Sequence, residues 1–144
     1  MNDEGKRRAA RRAVEFVTTG QVVGLGTGST SEFAIKALAE LVQKGLLITG
    51  VPTSEGAAVL ARSLGIPLAD LNDVPAIDIT IDGADEVDPA FNMIKGGGGA
   101  LTREKLVALS STRTVYAVDE SKLVENLGQA WAVPVPRRGP SLPC

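Results

Sequence analysis

Four short apolar stretches, residues 21–25, 46–51, 76–81 and 114–118, alternate with amphipathic segments at 31–44, 54–64 and 100–110. A strand-length run followed by a helix-length one, repeated, leaves few ways to bury both apolar faces. The economical solution is a set of parallel strands joined by right-handed helical crossovers, with helices packed on both sides of the sheet. The chain is therefore expected to be an α/β protein with a doubly wound, mostly parallel sheet, Rossmann-like in plan. The punctuation agrees. Gly45 closes the helix 31–44, Ser54 can cap the helix that runs to Leu64, and Gly65 stands where a left-handed residue ends it. An earlier helix, 3–17, carries Ala9, Ala10, Ala13, Val14, Phe16 and Val17 at helical spacing, with Arg7, Arg8, Arg11 and Arg12 on the other face. Ligands of such sheets bind beyond the carboxyl ends of the strands.

A chain of 144 residues is expected to form one domain, here 1–132, burying about two thirds of the surface its unfolded form exposes. Residues 133–144 hold four prolines and no periodicity, the pattern of a disordered tail. No apolar run reaches membrane-spanning length, and residues 1–12 are polar, so neither a membrane association nor a secretory leader is expected and a cytoplasmic location is. The arginine face reads as solvated rather than as a nucleic-acid surface, because acidic residues outnumber basic ones 17 to 15 and only five aromatics are available for stacking.

There is no histidine, and the one cysteine is Cys144. Disulfides within the chain, the usual zinc sites and His-activated nucleophiles are thereby excluded. Acid–base chemistry falls to Asp, Glu, Lys or Tyr, and Tyr116, inside an apolar strand, is expected in the core.

Two stretches carry chemistry. Gly24-Leu25-Gly26-Thr27-Gly28-Ser29-Thr30 joins the first strand to a helix, so backbone N–H groups and the helix N-terminus can converge on an anion, with Ser29 and Thr30 adding hydroxyls. It is not a P-loop, since no Gly-Lys-Ser/Thr follows. Nor is it a dinucleotide fingerprint: Ser29 stands where the third glycine belongs, and the strand ending at 48–52 lacks the acidic residue for a ribose hydroxyl. A phosphate monoester fits better than NAD or ATP.

The second stretch is Asp82-Gly83-Ala84-Asp85-Glu86, followed by Lys95-Gly96-Gly97-Gly98-Gly99 and by Thr102-Arg103-Glu104-Lys105. Four consecutive glycines surrender much backbone entropy and fit a place where a ligand lies against the main chain. Asp82, Asp85, Glu86 and Asp88 offer oxygen ligands for a hard cation, but their spacing matches no calcium loop. The stronger reading is a metal-free proton-transfer site, in which one carboxylate is the base and a lysine neutralises a developing oxyanion. The spacing leaves open which carboxylate is the base.

These motifs, with Leu-Gly-Ile-Pro-Leu at 64–68 and Asp119-Glu-Ser-Lys122, closely resemble type A ribose-5-phosphate isomerases in order and spacing from about Glu4 to Val135. The resemblance implies metal- and cofactor-free interconversion of ribose 5-phosphate and ribulose 5-phosphate through an enediolate, in the non-oxidative pentose phosphate pathway, by a homodimer. It implies Glu104 as the proton acceptor, and Asp82 and Asp85 as ligands of the sugar hydroxyls, with Asp82 also assisting ring opening. Lys95 would stabilise the enediolate. Thr27, Gly28, Ser29 and Thr30 would hold the phosphate with Lys122 and Lys6, while Gly83, Ala84, Gly96, Gly97 and Gly98 would supply further contacts to the sugar phosphate. The segment 136–144 departs from the family, whose chains continue into a small second domain and oligomer contacts. It reads as a truncation or a shifted frame, with a less stable and less active chain expected. The alternatives to an active isomerase are an inactive truncated one, a sugar-phosphate-binding sensor domain and, on the same fold, a coenzyme A transferase. Against the last two, only one helix precedes the first strand and nothing points to an adenine pocket.

Overall fold

In the computed structural model, residues 3–97 and 99–129 are described; Gly98 and the proposed tail 133–144 lie outside them. The elements run α1 (Asp3–Val14), β1 (Gln21–Leu25), α2 (Ser29–Gln43), β2 (Ile48–Pro52), α3 (Glu55–Ser63), β3 (Ile77–Asp82), β4 (Glu86–Val87), β5 (Met93–Ile94), α4 (Leu101–Leu109) and β6 (Ser111–Tyr116). Two 3₁₀ turns, Leu71–Asp73 and Glu120–Lys122, complete the set. No helix of the described residues is long and apolar enough to cross a membrane.

The main sheet has the order β2-β1-β3-β6, and all its pairs are parallel. After α3 the chain returns to the outer edge of β2, where Gly50 bridges Leu68. It then passes across the sheet through Leu71 and Val74 before entering β3. The buried aliphatics form two clusters. Val23, Leu25, Ile48, Ile79 and Ile81 pack with α1, α2 and α3, where Ile35 and Leu38 are fully enclosed. Val51, Ile77 and Val107 form a smaller cluster with Val22, Leu71 and Val74, which places α4 on the other face. Burying each of the large aliphatics contributes about 1.5–3 kcal/mol, so the first cluster holds the sheet to its helices. Helices thus cover both faces, as the alternation requires.

Element ends differ from expectation for local reasons. The last residues of the first helix, Phe16 and Val17, bond to carbonyls three residues back, at 3.2 and 3.1 Å, so α1 gives way to tighter turns after Val14. α2 starts two residues early, at Ser29, because Glu32 N already donates to Gly28 O at 2.9 Å. β6 starts at Ser111, three residues before the apolar run, because parallel pairing with β3 begins at Ile77 opposite Ser111. The β4–β5 hairpin, with two residues on each strand, has no counterpart in the sequence reading. Asp88 closes its turn by accepting from Ala90 N at 3.0 Å and from Asn92 N at 2.8 Å.

Candidate active site

β1, β3 and β6 end at Leu25, Asp82 and Tyr116 on the same edge of the sheet, and the loops that follow them enclose a cleft of about 280 Å³. Thr27, Gly28, Ser29 and Thr30 form one wall. Gly83, Ala84, Asp85, Lys95, Gly96, Gly97 and Glu104 form the other, and Lys122 closes the first from the side. Stretches more than 75 residues apart in sequence are brought together by parallel topology alone.

At the carboxylate end, Lys95 Nζ lies 3.2 Å from Asp82 Oδ2 and 3.0 Å from Glu104 Oε1, and it donates to the Gly83 carbonyl. Both carboxylates are buried, at 3% and 4% exposure, so neither charge is solvated well and each depends on the shared ammonium. The other oxygen of Asp82, Oδ1, accepts from Gly83 N at 2.8 Å, Thr27 N at 3.3 Å and Ser31 Oγ at 3.4 Å. Asp82 therefore stands behind Lys95 rather than on the cleft wall. Gly26 makes this approach feasible: a Cβ there would fall 2.6 Å from Asp82 Cα, a backbone atom that cannot retreat.

Charge and burial set opposite tendencies on these groups. Burial and the neighbouring Asp82 carboxylate push the Glu104 carboxyl above its ordinary value, outweighing the Lys95 ammonium that favours its anion. Burial by itself would lower Lys95, but Asp82 and Glu104 prevail and hold its ammonium above the ordinary lysine value. Glu104 thus has the character of a carboxylate tuned toward proton acceptance, beside a fixed positive charge.

The opposite end is an anion cradle by construction. Gly28 sits at the start of α2 with φ 107°, a conformation that glycine adopts without strain, and no side chain caps the helix there. The N–H groups of the first turn consequently have no intrahelical acceptor and carry the positive end of the helix dipole. Lys122 comes from the 3₁₀ turn that Asp119 caps through Ser121 N at 2.8 Å. Burial opposes ionisation of Asp119, but the Ser121 hydrogen bonds, with Lys122 and Lys6 nearby, hold its carboxyl below the usual range.

Of the expected site residues, Lys6 is buried on α1 and does not line the cleft, and Gly98 lies outside the described residues. Asp85 faces the cleft with Oδ2 bonded to Gly97 N at 2.7 Å. The four carboxylates considered as cation ligands are dispersed: Asp82 pairs with Lys95, Asp85 with Gly97 N, Glu86 Oε1 with Gly128 N at 2.7 Å, and Asp88 with its own turn. Among the described residues no group of three acidic, Cys or His side chains is arranged to hold a metal ion. Tyr116 is a correction. It is half-buried rather than core, and its ring centroid lies 5.2 Å from Lys95 Nζ, because it is the last residue of β6 at the edge where ligands sit. Ser31, which lines the cleft, and the Thr53–Ser54 hydroxyls behind Thr27 were also missed.

Comparison with known proteins places this architecture. Residues 49–136 match the sequence model of the family described as ribose 5-phosphate isomerase A (phosphoriboisomerase A). The chain is 56% identical over 133 residues to a ribose-5-phosphate isomerase A of Parvibaculum lavamentivorans, an alignment covering 92% of this chain and 57% of the other. Among solved structures, a D-ribose-5-phosphate isomerase in complex with phospho-erythronic acid superposes with a TM-score of 0.87 at 48% identity, over 90% of this chain and 58% of that one. The ribose 5-phosphate isomerase A of Methanocaldococcus jannaschii gives 0.86 at 42% identity, with coverages of 90% and 58%. The chain thus spans somewhat over half the length of these relatives.

Proposed function

The chain belongs to the ribose 5-phosphate isomerase A family, and on that premise we propose that it binds ribose 5-phosphate and interconverts it with ribulose 5-phosphate. The observation that carries the reading is the single ammonium of Lys95 held between two buried carboxylates, on a cleft whose far end is an uncapped helix N-terminus. A sugar phosphate has matching features: an anion at one end and, at the other, a carbonyl carbon that must gain and lose a proton. That a solved relative is in complex with phospho-erythronic acid, a phosphorylated sugar acid, supports a sugar-phosphate ligand.

In the proposed reaction the phosphate rests on the N–H groups of the β1–α2 loop beside Lys122. Glu104 removes the proton from C2 of the open-chain aldose, the C2–H electrons form the C1–C2 double bond, and O1 takes up the negative charge. Lys95 neutralises that oxyanion where it forms. The O2 proton passes to O1, and Glu104 returns its proton to C1, leaving the ketone at C2. Nothing is oxidised or reduced overall, so no redox cofactor is required, and Lys95 supplies the positive charge at the developing oxyanion. Asp85 meets the sugar hydroxyls, and Asp82, held by Gly83 N, Thr27 N and Ser31 Oγ, orients Lys95 and assists ring opening through it. The same reading includes a cytoplasmic setting, a homodimer, and residues 1–132 as the α/β isomerase domain.

The test is conversion of ribose 5-phosphate by the purified 144-residue chain and its Glu104→Gln variant. The chain is expected to turn over, and the variant to lose about 10²–10⁴ in kcat while still binding substrate. A sensor domain would bind the sugar phosphate without turnover and be indifferent to the substitution.

A further inference from the structure

Beneath the anion end of the cleft lies a cluster of hydroxyls that the proposed chemistry does not use. Thr53, the residue after β2, has no exposed surface; its Oγ1 donates to the Leu25 carbonyl at 2.8 Å and lies 2.8 Å from Thr27 Oγ1. A hydroxyl has one proton: that of Thr53 is engaged by Leu25, and that of Thr27 is shared between Thr53 Oγ1 and Ser54 Oγ. Ser54 Oγ, 2.9 Å from Thr27 Oγ1, accepts from Thr27 and from Ala57 N at 3.1 Å. The hydroxyl proton of Thr27 therefore points into the protein, away from the ligand space.

The strand end does not itself need this hydroxyl. Leu25 O also accepts from Thr53 N at 2.9 Å, so it stays satisfied without Thr53 Oγ1. What Thr53 Oγ1 does in addition is hold Thr27, whose N–H is bonded to Asp82 Oδ1 at 3.3 Å. Thr27 is thus pinned from two sides at the residue where the chain turns through Gly28 into the first turn of α2.

We propose that Thr53 is a positioning residue that fixes Thr27, and through it the row of N–H donors at Gly28 to Ser31, for the phosphate end of the substrate. The proposal rests on the reading of the cleft as a sugar-phosphate site. Thr53→Val keeps the shape and removes the hydroxyl. It is expected to raise KM for ribose 5-phosphate and the inhibition constant of inorganic phosphate together, by about tenfold, with kcat within about twofold. Thr53→Ser restores both constants. Thr27→Val is expected to reproduce the increase, and the double variant to add nothing to it, which keeps the test decisive if Thr53→Val does not fold. Unchanged constants in Thr53→Val or in Thr27→Val, or additive losses in the double variant, overturn the role of Thr53 while leaving the isomerase reading intact. A parent chain that neither binds phosphate nor converts ribose 5-phosphate overturns both.

Discussion

Lys95 serves two carboxylates at once, and that sharing decides how each group titrates. Asp82 is held by three further donors, whereas the side-chain partners of Glu104 are Lys95, at 3.0 Å, and Asp82 itself. It is Glu104 whose carboxyl is raised, first by burial and then by Asp82. Carbon-detected NMR titration of the Glu104 carboxyl should therefore give a midpoint above 4.5, its unperturbed value. Asp82→Asn removes a raising charge and should move the midpoint down, while Lys95→Gln removes the cation and should move it up. The acid limb of kcat/KM in the parent chain should follow the same midpoint, since a base works only when deprotonated. A midpoint at or below 4.5, or shifts of the opposite sign, would show that Lys95 dominates the pair.

Among the elements, the β1–α2 loop is the most tightly specified. Gly26 lets it lie against the backbone of Asp82, and an added methyl would also meet Ser31 Oγ at 2.6 Å. Gly26→Ala is expected to destabilise the fold by about 1–3 kcal/mol and to reduce kcat as well as raise KM, because the Thr27–Asp82 link is forced apart. Denaturant unfolding with steady-state kinetics checks it; a variant with parental stability and kcat would contradict the packing argument. The loop and the larger strands were legible in the sequence because each strand of five or six residues carries an apolar run, and because Gly45, Ser54 and Gly65 mark helix ends. The β4–β5 strands are too short for any period to show, so the device that brings Lys95 back toward Asp82 was invisible. Tyr116 was misread for a related reason: apolar neighbours mark a strand, but not the residue at which the strand leaves the core for the binding edge. The Thr27–Thr53 and Thr27–Asp82 contacts span 26 and 55 residues, and no local pattern announces them.

The whole molecule carries an electrostatic cost at this site. A carboxyl whose folded pKa is raised contributes stability below its unfolded value, and that contribution is lost as pH rises through the folded pKa. Glu104 behaves this way, so its anion is a net burden on the fold at neutral pH. Glu104→Gln is accordingly expected to melt at a higher temperature than the parent chain near pH 7, with the difference shrinking as pH falls toward 4. Thermal unfolding across that window checks the sign, and a less stable variant at pH 7 would reverse it. The claim on which all scales converge is that Glu104 carries a proton between C1 and C2 of a phosphate-anchored pentose. Its most direct test is incorporation of solvent deuterium into ribose 5-phosphate and ribulose 5-phosphate, followed by proton NMR in heavy water. The account predicts exchange at C2 of the aldose and C1 of the ketose with the parent chain and none above background with Glu104→Gln. Exchange at the parental rate in the variant would contradict it.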